Sequence, residues 1–263
     1  MQYMVLQRAS SQTESGAAPP LPGLQTLAPS AGAVRIQIAD GRATIIDGPF
    51  ADPGEMIAGF GVIEAPTRED ALAQACNWPL PEGVDSVELE VRLGGCPGDC
   101  AAVPDAGLVQ QGRRFAIILR SSPALESEAA VPQARLDALN AHNAAEARAG
   151  VLVSASGLRA SATGARIKRT GSTAMVMDGP FTEIKELIAG YWMVQVPSLQ
   201  DAIAWALKNP YPSGPAVEVE IREVRAAPAR PFTAEVEAAE QRMRAAQLDA
   251  AMRAALASGP RLA

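Results

Sequence analysis

Residues 43–83 read ATIIDGPFADPGEMIAGFGVIEAPTREDALAQACNWPLPEG, and residues 174–214 read AMVMDGPFTEIKELIAGYWMVQVPSLQDAIAWALKNPYPSG. The two stretches align without a gap and about two positions in five are identical. Asp-Gly-Pro-Phe stands in both, as residues 47–50 and 178–181. Self-similarity over a block this long marks a repeated structural unit and outranks any reading of single elements. Outward from the block the match continues. VELEVR (87–92) returns as VEVEIR (217–222), and YMVLQR (3–8) returns as FAIILR (115–120). The chain is a tandem duplication.

The copies are unequal. The second carries nineteen more residues between its first strand and the block. The surplus lies in PQARLDALNAHNAAEARAGVLVSASGL (132–158), where Leu136, Leu139 and Ala147 recur at helical spacing and Gly150 marks a stop before Val151-Leu152-Val153. The matching part of copy one, AAPPLPGLQTLAPS (17–30), holds too many prolines for a helix. Copy one is therefore expected to lack its first helix.

The remaining elements read the same way twice. Val34–Ile38 and Thr44–Ile46, joined at Ala39-Asp40-Gly41, form a hairpin, as do Arg166–Lys168 and Met175–Met177. Strands follow at Phe60–Glu64 and Tyr191–Val196. Thr67-x-x-Asp70 and Ser198-x-x-Asp201 then open helices over 68–77 and 199–208, the hydroxyl capping the amide three residues on and the acid reaching back. A last strand closes each copy. The order is β-α-β-hairpin-β-α-β, a split-βαβ or ferredoxin-like pattern of class α+β. The expected organisation is a degenerate unit at 1–92, a Gly/Pro-rich linker at 93–112, a complete unit at 113–225 and a helical extension at 226–263, with one long helix from Thr233 to Ala257.

Composition narrows the function. With 48% hydrophobic residues over 263 positions the chain can bury a sizeable core, and a net charge of -6 argues against a nucleic-acid module. No apolar run is long enough for a membrane span, and no signal-peptide pattern opens the chain. Three cysteines fit a reducing cytoplasm better than a disulfide framework. Cys96 and Cys100 have no second Cys or His pair to complete a zinc site. Phosphate-cradling glycine loops and a nucleophile elbow are missing, so no metal and no cofactor is expected.

At this point the residues carry a resemblance. Asp178-Gly179-Pro180-Phe181-Thr182-Glu183-x-Lys185-Glu186-x-x-x-Gly190-Tyr191 resembles the DGPF signature of the YCII-related domain family. Gly150-Val151-Leu152-Val153 and Ser198-Leu199-x-x-Ala202 fit the same pattern. The likeness covers nearly all of 113–225 and is looser over 1–92, where Pro53-Gly54 replaces the Ile184-Lys185 step. It implies ferredoxin-like units that pair through their sheets as a dimeric α+β barrel, here as a pseudo-dimer inside one chain. The protein would then be a monomer with that internal pair, or a homodimer. The resemblance also implies two kinds of function. One is acid-base chemistry on a small molecule, which relatives perform with a His-Asp pair in the cleft. The other is a non-catalytic accessory or regulatory role, for example beside an alternative sigma factor.

The candidate site residues follow. The Asp178 carboxylate leaves an apolar strand at a sharp turn, as a general acid or base, or as an Asx-type support that accepts backbone N–H groups. His142, the single histidine, lies on the helix that only copy two has and is the candidate partner of Asp178. Arg166, matched by Arg35, could hold an anion or edge a solvated strand. Glu183, Lys185 and Glu186 could ring a cleft mouth or form a solvated connection. Tyr191 and its neighbour Trp192 serve either as a pocket wall or as core filling.

Overall fold

The computed structural model describes residues 1–95, 102–103, 112–212 and 216–225. Copy one supplies β1 (Gln2–Arg8), a single turn α1 (Ser11–Glu14), β2 (Gln25–Thr26), β3 (Val34–Ala39), β4 (Arg42–Asp47), β5 (Ile57–Glu64), α2 (Arg68–Cys76) and β6 (Ser86–Leu93). Copy two supplies β7 (Arg113–Arg120), a single turn α3 (Pro123–Glu126), α4 (Gln133–Arg148), β8 (Leu152–Gly157), β9 (Ala165–Thr170), β10 (Thr173–Asp178), β11 (Ile188–Val196), α5 (Leu199–Lys208) and β12 (Val217–Glu223). The helix that copy one was expected to lack is α4. The long helix expected at 233–257, Cys96, Cys100 and most of the expected linker lie outside the described residues.

Local chemistry accounts for the boundaries. Thr67 and Ser198 accept hydrogen bonds from the amides of Asp70 and Asp201 and so cap α2 and α5. The two aspartates differ from expectation: each accepts from the capping hydroxyl itself, at 2.8 and 2.6 Å, instead of from the cap's backbone amide. The β3–β4 turn places Asp40 and Gly41 at φ 52° and 72°, the positive values that a tight two-residue hairpin demands.

Two six-stranded antiparallel sheets result, in the orders β10-β9-β6-β1-β5-β2 and β4-β3-β12-β7-β11-β8. Each hairpin has left its own copy. β9 pairs with β6, setting Arg166 opposite Glu90, while β3 pairs with β12, setting Arg35 opposite Glu220. Every sheet thus joins four strands of one copy to the hairpin of the other, and residues 1–225 form one unit.

Strand alternation divides the apolar residues between two faces. Inward-facing Met4, Leu6 and Phe60 of copy one share a buried cluster with Ile118, Tyr191 and Met193 of copy two, and the rings of Phe60 and Tyr191 lie 4.6 Å apart. The sheets therefore pack face to face. On the outer side of the first sheet Val5, Leu89 and Ile167 meet Ala71 and Ala75 of α2. On the outer side of the second, Ile117, Val219 and Trp192 meet Leu139 of α4 and Ile203 and Trp205 of α5. The layers run helix, sheet, sheet, helices.

Candidate functional site

The repeated motif builds a clasp. Gly48 and Gly179 follow the hairpin ends and their backbones press on one-turn helices at Ser30–Gly32 and Ser161–Thr163. A Cβ at Gly48 would lie 1.8 Å from the Ser30 carbonyl oxygen, and one at Gly179 would lie 2.0 Å from that of Ser161. Only glycine fits there. The Ser30 and Ser161 hydroxyls accept the amides of Phe50 and Phe181, both at 3.2 Å. The amides of the same serines are taken by Glu14 and Glu126, both at 2.7 Å. The Gly48–Pro49 and Gly179–Pro180 peptides are cis.

Under each clasp lies a charge cluster assembled from both copies. Arg166 Nε donates to Glu90 at 3.0 Å and its Nη1 pairs with Glu186 at 2.7 Å, while the Phe181 ring covers the guanidinium at 4.3 Å. Arg92, fully buried, pairs with Glu90 at 3.0 Å and with Glu126 at 3.6 Å. Arg8 donates to the carbonyl oxygens of Glu186 and Gly54. The other cluster repeats this arrangement: Arg35 meets Glu220 and Glu55 under Phe50, and Arg222 meets Glu220 and Glu14. Arg120 reaches the carbonyl oxygens of Glu55 and Lys185. The first cluster sets three arginines against three glutamates, and in the second Glu218, 3.9 Å from Arg120, adds a fourth.

That pairing sets the titration behaviour. Burial pushes Arg8 and Arg120 down from the usual arginine range. Burial acts the same way on Arg35 and Arg166, but the paired glutamates outweigh it and raise both. Burial would raise Glu14 and Glu126, yet the hydrogen bonds from Ser30 and Ser161 and the arginines Arg222 and Arg92 hold both carboxyls below the ordinary value. Charges paired in this way lock the copies together, while one nitrogen of each hairpin arginine, Nη2 of Arg35 and Nη2 of Arg166, is buried without a partner among the described residues.

The sequence-derived candidates fall into four places. Arg166 and Glu186 meet in the first cluster, whereas the side chains of Glu183 and Lys185 are exposed beside it. Asp178 ends an edge strand with its side chain 70% exposed and pairs with Arg68 of α2. It accepts no backbone amide in the turn, which glycine and serine hold instead of an Asx-type carboxylate. His142 packs on Trp205, ring centroids 5.3 Å apart, and its Nε2 is buried with no partner among the described residues. Asp178 and His142 thus engage different neighbours. Tyr191 is buried between the sheets.

Tyr191 and Trp192 also line a cavity that exists through α4. Leu119, Ala155 and Leu158 form its floor, Leu139 and Asn143 its helix wall, and Leu125 and Val131 its rim. Its polar groups are few: Ser121, Glu126, Asn143 and Ser156. Asn143, buried on the apolar stripe of α4, accepts a hydrogen bond from Trp192 Nε1 at 3.2 Å. The free interior is about 40 Å³, room for a few water molecules. Copy one has Gly61 in place of Trp192, and a Cβ there would meet Leu24 at 2.9 Å, so chain fills the equivalent space. Among the described residues no group of three or more His, Cys, Asp or Glu side chains is arranged to hold a metal ion. No described helix is long and apolar enough to cross a membrane.

With this geometry in place, comparison with known proteins is decisive about lineage. The model of the YCII-related domain matches residues 1–91 and again 114–225. The chain belongs to the YCII-related domain family. It is a two-copy member, and the clasp and, apart from Arg92, the clusters beneath it fall within the matched segments. No curated protein matches this YCII-related chain in sequence.

Sequence reasoning overlooked the residues at the heart of the clusters. Arg8 with Arg120, Glu90 with Glu220 and Arg92 with Arg222 sit in strands and read as polar positions of ordinary alternation. The available signal was their repetition: Glu and Arg two residues apart lie on one strand face, and both copies keep them. Asn143 carried a similar signal, a polar residue four positions after Leu139 and seven after Leu136 on the stripe that faces the sheet.

Proposed function

We propose that this YCII-related protein binds a small, largely apolar molecule in the cavity between α4 and the second sheet. One observation carries the reading: the pocket is apolar, has a few convergent polar groups, and depends on a helix that copy one lacks. Its free space is small, so binding requires Leu125 or Val131, both half-buried at the rim, to move aside. Acid-base chemistry at Asp178 draws no comparable support, because that carboxylate is exposed and already paired with Arg68. In this reading each copy is a ferredoxin-like unit, and the strand-exchanged pair is the dimeric α+β barrel of the family within one cytoplasmic chain, joined by the segment 93–112.

A thermal-shift screen with a metabolite library tests the proposal, since a ligand selective for the folded state raises the midpoint. Hits are repeated on Val131→Trp, which blocks the rim, and on Asp178→Asn. The expected result is a shift abolished by the first substitution and kept by the second. A shift that survives Val131→Trp unchanged, or that vanishes with Asp178→Asn, overturns it.

A second reading, a non-catalytic accessory partner, draws on the exposed apolar residues of the hairpins: Ile45 and Ile46 on β4, and Met175, Val176 and Met177 on β10.

A further inference from the structure

Glu126 and Glu14 hold the same place in the two copies, yet their surroundings differ. Each accepts the serine amide of its clasp at 2.7 Å. Each also lines a hollow: Glu126, Leu158 and Ala189 belong to the cavity under α4, and Glu14, Leu27 and Ala58 to its counterpart in copy one. The amides of Leu27 and Leu158 donate to Ala58 and Ala189, both at 2.8 Å, so the two spaces correspond residue for residue at this corner. The hollow in copy one is nearly closed and already has its cations. Its free interior is about 10 Å³, against about 40 Å³ in copy two. Arg225 lines it, and Arg222 Nη2 donates to Glu14 at 2.8 Å.

In copy two both cations have drawn back. Gly95 stands at the position that answers to Arg225. Arg92 stays 3.6 Å from Glu126, beyond hydrogen-bonding distance. A hydroxyl fills in: Ser121, where copy one has Ala9, donates to Glu126 at 2.7 Å. An ionised carboxylate has about four acceptor positions. Among the described residues Glu126 uses two, for Ser121 and the Ser161 amide. Burial would raise its carboxyl, but the bonds from Ser161 and Ser121 and the charge of Arg92 hold it below the ordinary value, so it is an anion at neutral pH.

We infer, taking the cavity to be the binding site proposed above, that its ligand is a small apolar amine, with the ammonium group seated on Glu126 and the hydrocarbon body against Leu139 and Leu158. The ligand then brings from outside the cation that copy one supplies from its own chain. No Lys, Arg or His lines the cavity among the described residues, so a carboxylate or phosphate would meet Glu126 with no cation at the wall. An ammonium meets a carboxylate with acceptor positions to spare. It also meets the Ser156 hydroxyl oxygen, whose proton goes to the Gly157 carbonyl at 3.1 Å, and the indole of Trp192, a π-system that attracts cations.

Titration calorimetry on the full chain with isoamylamine, isoamyl alcohol and isovalerate tests this. The three share one hydrocarbon skeleton and carry a positive, no and a negative charge at neutral pH. The amine is expected to bind about tenfold more tightly than the alcohol, because a charge-assisted hydrogen bond is about twice as strong as a neutral one, and isovalerate is expected not to bind. Glu126→Gln should level amine and alcohol, whereas Glu14→Gln, the same change in the other clasp, should keep the preference. Val131→Trp should abolish binding of both. Should Glu126→Gln fail to fold, the wild-type ranking of the three probes decides alone. An alcohol or isovalerate that binds as tightly as the amine overturns the inference and leaves the cavity as a site for uncharged or anionic molecules. Amine binding that survives Val131→Trp overturns it by placing the ammonium elsewhere. Failure of all three probes overturns it as well, and the hits of the metabolite screen that are sensitive to Val131→Trp then decide separately whether the cavity binds anything.

Discussion

Copy one and copy two repeat the clasp with its glycine, serine, phenylalanine and charge cluster, yet they part over a single helix. The repeated part is mechanical, because each cluster needs residues from both copies and holds the exchanged hairpins in place. The unrepeated part, α4 with its cavity and the Asn143–Trp192 hydrogen bond, is where the candidate binding site lies. Duplication appears here as a division of labour: what must hold the halves together is kept twice, and what can differ is kept once.

Breaking the clasp should have the largest effect and should be indifferent to the copy. Gly179→Val and Gly48→Val both drive a Cβ into a serine carbonyl, and neither variant is expected to give a cooperative thermal transition at 25 °C. The clusters come next. Glu90→Gln and Glu220→Gln each leave buried arginines uncompensated, and urea denaturation should show a loss of about 3–5 kcal/mol in either case.

Acid attacks the same clusters. Glu14 and Glu126 have folded-state values below the ordinary 4.5, so the stability they contribute is complete above that value and is lost as pH falls toward the folded value. Glu126→Gln should therefore flatten the low-pH limb of a stability-against-pH curve. Glu14→Gln should flatten it likewise, as the equivalence of the copies requires.

Smaller effects sharpen the difference between copies. Asn143→Leu strands the buried Trp192 N–H and should cost about 1–3 kcal/mol in urea denaturation, with no counterpart in copy one. Smallest of all, Asp178→Asn removes an exposed ion pair and should shift stability by no more than about 1 kcal/mol. Asp47→Asn, with no partner among the described residues, should shift it less. A large loss with Asp178→Asn would give that residue a structural weight that its exposure does not suggest.

Much of this architecture was legible in the residues. The hairpins, the capped helices, the missing first helix and the two-copy plan all follow from repetition, periodicity and capping chemistry. The exchange of hairpins was not legible, for a definite reason. VELEVR and VEVEIR present nearly the same alternation, so β9 gains the same contacts from β6 as it would from β12, and local sequence has no preference between them. The choice belongs to the connections and to the closure of the whole. Arg166 and Glu186 were legible as polar residues near the motif, but their partners Glu90 and Arg8 come from the other copy, where no local pattern points to them. Asp178 drew attention because it precedes the turn, whereas the turn depends on the glycine after it.

The exchanged hairpins have a consequence for how the chain is made. Synthesis runs from the N-terminal side, and a first domain ordinarily finishes folding while the ribosome is still producing the second. Here the first sheet has β1, β5 and β6 at hand early, but its outer strands are β9 and β10, which emerge only after residue 164. Copy one also carries its own β3 and β4, which must stay unclaimed until β12, near residue 217, arrives to receive them. The nascent protein thus has no finished half to bank on, and any factor that shields an unpaired β6 in that interval would favour the correct exchange over a premature closure of copy one upon itself.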